Sequence, residues 1–575
     1  MAVHKRLQRR SLEGSVEDLE GVHPLLARVY AARGVSQLEQ IEYSLKSLED
    51  VAQLKGMDEA VERLIQAITL DAPVMIVGDF DADGATSTAV AMRGLRAMGL
   101  NHVDYLVPNR FEFGYGLTPE IVEIAAQSHP SLIITVDNGI SSVQGVVRAN
   151  ELGIDVLITD HHLPGEQLPD AVAIVNPNQP EDTFPSKYLA GVGVLFYVLI
   201  ALRQQLRKRG WFVEKRREEP HLASFLDLVA LGTVADVVPL DRNNRILVEQ
   251  GLSRIRKGRC APGILALLRC AGRDPGRAVA TDLGFFAGPR LNAAGRLDDM
   301  SLGIECLLTD DSAMADRYAK ELDALNRERR DIEANMQAEA LDGLDQLLVD
   351  GETQWGLSLF QEGWHQGVVG LVAARIRERV HRPVIAFAEA QEGLLKGSGR
   401  SIPGLHIRDA LAHVNSLHPG LIDKFGGHAM AAGLSLQKDN WQTFSEAFDN
   451  AVRSQLSPEQ LEPIVYSDGE LQGAEFDLDI AELLRQCGPW GQGFPEPVFD
   501  GQFDIQQRRI LKDCHIKYVL VPKGSMQQVE AIVFNIEPQE WPNQGDSFHI
   551  AFSLDVNCYQ NRRSVQLMIR EKFNS

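Results

Sequence analysis

From Pro73 onward, short apolar runs alternate with longer amphipathic ones. Residues 74–77, 103–107, 132–136, 155–159 and 171–175 are short and largely apolar, with many β-branched residues. Runs of that kind predict buried parallel strands. Between them, 86–98, 119–127 and 142–152 space their apolar residues as helices do. Strand, helix and strand with short connections predict a doubly wound parallel sheet. Upstream, 24–34 and 57–68 have a period near 3.6, so the segment 1–70 is expected to be helical. An apolar helix is expected over 222–235, ending at Asp236.

Residues 312–348 are polar and poor in glycine until Gly343, with Tyr318, Leu322, Leu325, Ile332 and Met336 along one narrow seam. That spacing predicts one long helix joining two domains. A second α/β pattern begins at Trp355, with strands at 357–360 and 383–388 and a helix at 367–380. Residues 426–433 form a glycine-flanked turn entering small residues. After Glu462 the texture is all-β, with strands expected at 498–505, 515–521, 529–535, 547–557 and 564–571. Five strands in that length suit a small barrel of the OB type. The expected fold class is therefore α/β with a C-terminal β-barrel. The expected domains are 1–70, 71–311, 312–348 (the connecting helix), 349–460 and 461–575.

A chain of 575 residues exceeds what one core supports. An apolar fraction of 44% and a charged fraction of 24% are those of a soluble globular protein. The basic start, Met1 to Arg10, is followed by no apolar stretch, so no signal peptide is expected. The most apolar run, 192–202, is too short to span a bilayer. The six cysteines are scattered without a CxxC pair. They read as thiols in a reducing cytoplasm, not as a disulfide frame or a zinc site. A net charge of −22 argues against coating duplex DNA. It is compatible with a nucleic-acid enzyme whose acids crowd a metal centre.

The acids fall at the ends of the expected elements. Asp79, Asp81 and Asp83 alternate in the turn between the first strand and its helix. Asp137 follows the strand at 132–136, and Asp160-His161-His162 follows the strand at 155–159. Asp236 closes the apolar helix. One N-cap needs one Asp, not three, and acids packed this closely repel unless a cation sits among them. Strand ends on one edge of a parallel sheet converge. Carboxylates with one or two imidazoles suit Mn²⁺ or Mg²⁺, and this many ligands suit two ions, as used for in-line attack on phosphate esters.

These residues resemble the DHH phosphoesterase superfamily: Asp-x-Asp-x-Asp, then Asp137, then the literal Asp160-His161-His162, then Asp236. Further stretches are similar to its bacterial single-strand-specific exonucleases: 107–110 (Val-Pro-Asn-Arg), 189–193, 230–236, 288–296 and 425–429. The resemblance spans nearly the whole chain. It implies a parallel-sheet DHH domain, a DHH-associated second α/β domain and an OB-like barrel. It implies that Asp81 and Asp137 hold one metal, with Asp79 close by, and that Asp83, Asp137, His161 and Asp236 hold the other. His162 would touch the scissile phosphate or act as the acid. The nucleophile would be a water acidified by the cations.

Lys396-Gly-Ser-Gly-Arg-Ser401 reads as a glycine-rich loop able to cradle an anion, and the resemblance implies a 5′-phosphate pocket there, with Ser398 and Arg400. Arg290 or Arg296 would reach in from the first domain, with Arg110 as a further contact. His365 precedes a helix N-terminus that suits phosphate. His428 follows two glycines and would lean into the site, and Tyr115 would stack a base. The implied activity is 5′-to-3′ digestion of single-stranded DNA to 5′-mononucleotides in repair and recombination, by a monomer beside a RecQ-type helicase and the single-strand-binding protein SSB. Two other readings stand beside it. One is a DHH phosphodiesterase for nanoRNA or a cyclic dinucleotide, which needs no barrel. The other is a catalytically dead DHH scaffold, which needs no intact ligand set.

Overall fold

The computed structural model describes residues 5–573 apart from 110, 111, 114, 350–353, 392, 560 and 561, so Arg110 lies outside the described residues. The chain opens on a strand, β1 (Arg6–Arg9), where a purely helical segment was expected. Helices Pro24–Ala31 and Met57–Leu70 follow.

The first domain holds β2 (Val74–Val77), β3 (Val103–Leu106), β4 (Leu132–Val136), β5 (Asp155–Thr159) and β6 (Ala173–Val175). All pairs are parallel, in the order β3-β2-β4-β5-β6. Every residue of β2 and β4 is buried. Ile76 and Ile134 face the helices Ala82–Met98 and Gly191–Lys208, while Met75 and Ile133 face Pro119–Ala126 and Val143–Glu151. Each such side chain contributes ~1.5–3 kcal/mol by leaving water. Because both of their faces are covered, β2 and β4 read as nearly continuous apolar runs. From β2 the chain goes first to β3 on one side and then to β4 on the other. The carboxyl ends of β2 and β4 therefore flank a topological switch point, where such sheets bind ligands.

The connecting helix runs Ser312–Val349, with Leu322 buried against the first domain and Met336 against the second. The second domain holds β7 (Leu357–Phe360), β8 (Val384–Gln391), β9 (Leu394–Arg400), β10 (Lys424–Gly427) and β11 (Ala431–Gln437). Their order is β10-β11-β9-β8-β7, with only β7 and β8 parallel. Lys396–Arg400, expected as a loop, is thus part of a central strand. Its glycines are there for packing. A Cβ on Gly397 would stand 2.5 Å from Phe387, and one on Gly399 would stand 2.7 Å from Ile407. Similarly, the glycine-rich 426–433 stretch is the hairpin β10–β11.

β12 (Ile464–Ser467) and the helix Leu478–Gln486 lead into the barrel. That helix is absent from the all-β expectation. β13 (Phe499–Leu511), β14 (His515–Pro522), β15 (Val529–Val533), β16 (Ser547–Tyr559) and β17 (Arg562–Phe573) close in the order β13-β14-β15-β17-β16. β1 pairs in parallel with β12, Arg6 opposite Ile464. Arg9 grips Asp500 with two bonds, 3.0 and 2.8 Å, and Arg33 grips Asp468. The Tyr30 ring lies 5.9 Å from that of Trp490. The first domain, the N-terminal helices and the barrel share one continuous apolar core, whereas the second domain has its own.

Candidate metal centre

The acidic turn after β2 is built from short-range bonds. Asp81 caps the helix Ala82–Met98, its Oδ1 accepting from the N–H of Asp83 and of Gly84 at 2.9 and 3.0 Å. A cap and a metal ligand are therefore compatible in one carboxylate. Asp83, in the first helical turn, is fully buried. It accepts from Gly191 N (2.6 Å) and Val192 N (3.0 Å), at the start of the helix Gly191–Lys208. Asn292 reaches over from the helix Gly288–Leu297 and accepts from Ala82 N.

Asp137 holds a left-handed φ of 62° at the end of β4, a conformation rare outside glycine and common where sites store strain. Asn138 ties the ends of β2 and β4 by donating to the carbonyls of Val77 and Val136. Gly191 leaves room for Asp137, since a Cβ there would stand 2.5 Å from the Asp137 Cβ. After β5, Asp160 accepts from the N–H groups of Ile140, His161 and His162 and meets His162 Nδ1 at 2.7 Å. Asn178 and Asn176 hold the carbonyls of His161 and His162.

The structure thus gathers Asp79, Asp81, Asp83, Asp137, His161, His162 and Asp236. Ligand atoms of Asp79, Asp81 and Asp137 lie within 4.8 Å of one another, as do those of Asp83, His161 and Asp236, and those of Asp137, His161 and His162. His161 Nε2 lies 3.0 Å from Asp137 Oδ1 and 3.5 Å from Asp236. Neither Nε2 nor Asp137 Oδ1 has a hydrogen-bond partner, and both are buried. An unpaired buried polar atom costs about 1–3 kcal/mol, and here two of them face each other at 3.0 Å. A cation between them removes both penalties. Oxygen-rich ligands with one imidazole fit Mn²⁺ or Mg²⁺.

Electrostatics point the same way. Burial, then the charge of Asp236, pushes Asp83 up to about 7. Burial, then Asp81, pushes Asp236 up to about 7. Asp137 is raised well above the carboxylate range by burial and by Asp83 and Asp81. His161 is lowered by burial and by His162, so its imidazole is neutral, as a metal ligand must be. The second pair is opposite in kind. Burial pushes His162 down, but the bond and charge of Asp160 prevail and raise it to about 9. Burial likewise raises Asp160, and His162 reverses that to hold it at about 2. The Asp160 carboxylate thus favours the protonated form of His162 beside the acid cluster.

Across from the acids lies a cavity of about 460 Å³ between the two α/β domains, lined by Phe80, Tyr115, Lys396, Ser398, Lys424 and Phe425 among others. The Tyr115 hydroxyl is 3.1 Å from His162 Nδ1 and 3.2 Å from the Asp137 carbonyl. His428 stacks at 6.4 Å on His162 and is lowered by burial and by that neighbour's charge. Arg400 donates to Ser398 Oγ (3.1 Å) and Gly399 O. Its pKa is lowered by burial and then by Arg377, and among the described residues no carboxylate pairs with it.

Other expected contacts are engaged elsewhere. Arg290 is bound to Asp323 of the connecting helix and to the Phe286 carbonyl, so it does not reach the cavity. Arg296 donates to Gly367 O across the domain boundary, and His365 Nδ1 accepts from Gly367 N. Asn138, Asn176, Asn178, Asn292 and Gly191 hold the ligands in place but were not singled out from sequence. Only the 189–193 and 288–296 stretches hinted at two of them.

Three family models match: the DHH family N-terminal domain over 73–233, the DHHA1 domain over 353–454 and the RecJ OB domain over 467–571. The chain is 55% identical over 99% of its length to the single-stranded-DNA-specific exonuclease RecJ of Dickeya dadantii, covering 99% of that protein. It is 52% identical to that of Escherichia coli, with 98% of each chain covered. Among solved structures, RecJ from Thermus thermophilus in complex with Mn²⁺ matches at a TM-score of 0.80 and 27% identity, over all of this chain and 80% of that one. The same protein in complex with Mg²⁺ matches at a TM-score of 0.74, over all of this chain and 79% of that one. The chain belongs to the family of the single-stranded-DNA-specific exonuclease RecJ.

Proposed function

We propose that this chain is a metal-dependent exonuclease that degrades single-stranded DNA from the 5′ end and releases 5′-mononucleotides in repair and recombination. One observation carries the reading. A carboxylate–imidazole centre with two buried polar atoms lacking a hydrogen-bond partner stands beside an interdomain cavity that Phe80 and Tyr115 line from one side and Lys396 and Ser398, the latter bonded to Arg400, line from the other. The RecJ relatives crystallised with Mn²⁺ and with Mg²⁺ support those ions here. Asp79, Asp81 and Asp137 would hold one, and Asp83, Asp137, His161 and Asp236 the other, with Asp137 shared. Bound there, the ions would supply positive charge against the scissile phosphate and acidify the attacking water.

The chain's own groups do the rest. His162, kept charged by Asp160, meets the scissile phosphate and has a proton for the leaving oxygen. Tyr115 fixes that imidazole from the solvent side, and its half-exposed ring offers a face to a base. Arg400 and Ser398 receive the terminal 5′-phosphate, which carries more charge than an internal diester. His428 stacks on His162 from the second domain. His365 and Arg296 shape the boundary between the domains, and Arg110 is kept as a phosphate contact on the resemblance alone.

In the same reading the domains divide the work. Residues 71–311 cut, 312–348 connect, 349–460 hold the 5′ end, and 461–575 complete the strand's path with 1–70 as its brace. SSB and a RecQ-type helicase are the proposed partners of a cytoplasmic monomer. Among the described residues all cysteines are free thiols, and no helix is long and apolar enough to cross a membrane. The test is digestion of 5′-labelled and 3′-labelled strands with each metal. Release of the 5′ label first, as mononucleotide, is expected. Release from the 3′ end, or hydrolysis of dinucleotides only, refutes the reading.

A further inference from the structure

Three features gather at the Asp236 end of the acid cluster, and none of them holds a ligand. Val237, next after Asp236, is β-branched yet has a φ of 63°, and it is 63% exposed. Such a conformation is an outlier for valine. The helical run that ends at Leu297 contains a π turn, Leu283–Ala287, a rare form found mostly at functional sites. Within that turn Phe285 is 74% exposed, whereas Phe286 beside it is covered by the Arg273 guanidinium at 4.5 Å.

The π turn packs on Asp236's own helix. A Cβ on Gly284 would stand 3.1 Å from Val234, and one on Gly288 would stand 3.0 Å from Ala235. Further along the same run, Asn292 bonds the acidic turn at Ala82. At ~1.5 Å per residue, Phe285 stands about 10 Å from that contact, roughly three stacked nucleotides at ~3.4 Å each. The chain beyond Val237 then bonds the approach to the barrel, Leu240 N donating to Gln492 O at 2.7 Å. A lone exposed aromatic is ordinary. A rare turn and a left-handed valine, placed together between the metal ligands and the barrel, are not.

We propose that Phe285, in the π turn packed on the helix that ends at Asp236, is the stacking step for bases of the single strand on the 3′ side of the scissile phosphate. The inference rests on the exonuclease reading above. With the 5′ end lodged by Ser398 and Arg400, the strand must leave the ions by another side, and beyond Asp236 and Val237 the chain leads to the approach to the barrel. An aromatic face accepts any base, as an enzyme without sequence preference requires.

The test measures KM and kcat for the parent, Phe285→Ala and Phe285→Trp with Mn²⁺. The substrates are a 5′-phosphorylated oligothymidylate of about 20 nucleotides and the 5′-phosphorylated dithymidylate, too short to reach the step. Phe285→Ala should raise KM for the long strand about tenfold, about 1.4 kcal/mol, with kcat retained and the dinucleotide unaffected. Phe285→Trp should keep the parent's KM. An unchanged KM for Phe285→Ala overturns the proposal while leaving the exonuclease reading intact. Equal losses on both substrates also overturn it, making Phe285 a packing residue. A parent that does not shorten the long strand overturns the exonuclease reading and this one with it.

Discussion

Among single residues, Asp137 is the one on which both ions depend. Asp137→Ala should lower the rate more than about a hundredfold under saturating Mn²⁺, with calorimetry showing lost metal binding and the melting temperature kept. Retention of more than about a hundredth of the rate defeats the shared-ligand assignment. Arg400 governs the terminus instead. A charge-assisted bond to Arg is worth roughly 1.5–3 kcal/mol. Arg400→Ala should therefore slow digestion of 5′-phosphorylated strands about ten- to a hundredfold and spare 5′-hydroxyl strands. Equal slowing on both would make Arg400 a general backbone contact. The acids of the site were legible because each must be a carboxylate at the end of an element. What holds them was not. Gly191 and Val192 act on Asp83 through backbone N–H groups, which leave no side-chain signature, and Asn292 lies 210 residues from the turn it braces.

At the level of elements, β2, β4 and β5 were legible to the residue because burial on both faces imposes a largely apolar run. β9 was not, because glycine replaces the apolar half of its alternation where Phe387, Leu434 and Ile407 fill the space. β1 was hidden because Arg-Leu-Gln-Arg carries no strand signal without its partner β12. Gly370 offers a test of how closely β9 is roofed. It lies on the helix Val369–Val380, where a Cβ would meet Ser398 Oγ at 2.8 Å and Arg400 Nη2 at 2.9 Å. Gly370→Ala should disturb 5′-phosphate use while helix propensity offsets the crowding by up to ~1 kcal/mol. A variant with unchanged preference for 5′-phosphate would show that the pocket is looser than drawn. The β1 brace has a pH signature. Burial pushes Asp500 up, but bonds from Arg9, Ser467 and His549 outweigh it and hold the carboxyl below its ordinary range. A depressed carboxylate stabilises the fold above its unfolded value of about 3.9, and that gain is lost as pH falls through the folded value. Asp500→Asn should melt lower at neutral pH and show a flatter decline in acid than the parent.

Over the whole molecule, the barrel is not a detachable module. Its core is continuous with that of the catalytic domain, and Arg33, Tyr30 and Arg9 all reach into the approach to it or into its first strand. Removing everything after Leu461 should therefore give aggregated or low-melting protein, not an enzyme with a shorter track. A truncated chain that is soluble, folded and active on short oligonucleotides would contradict the shared core.

The Arg9–Asp500 grip spans 491 residues of chain. A ribosome adding roughly 5–20 residues per second needs about half a minute to a minute and a half to cover that span. Through that interval Tyr30 and its neighbours wait, with their barrel-side partners unsynthesised. The first domain must then persist with an uncapped apolar flank, open to holding factors or to other nascent copies. Ribosome-stalled chains released before residue 500 should be cleaved readily near the N-terminus by added protease. Chains released after the barrel is complete should resist.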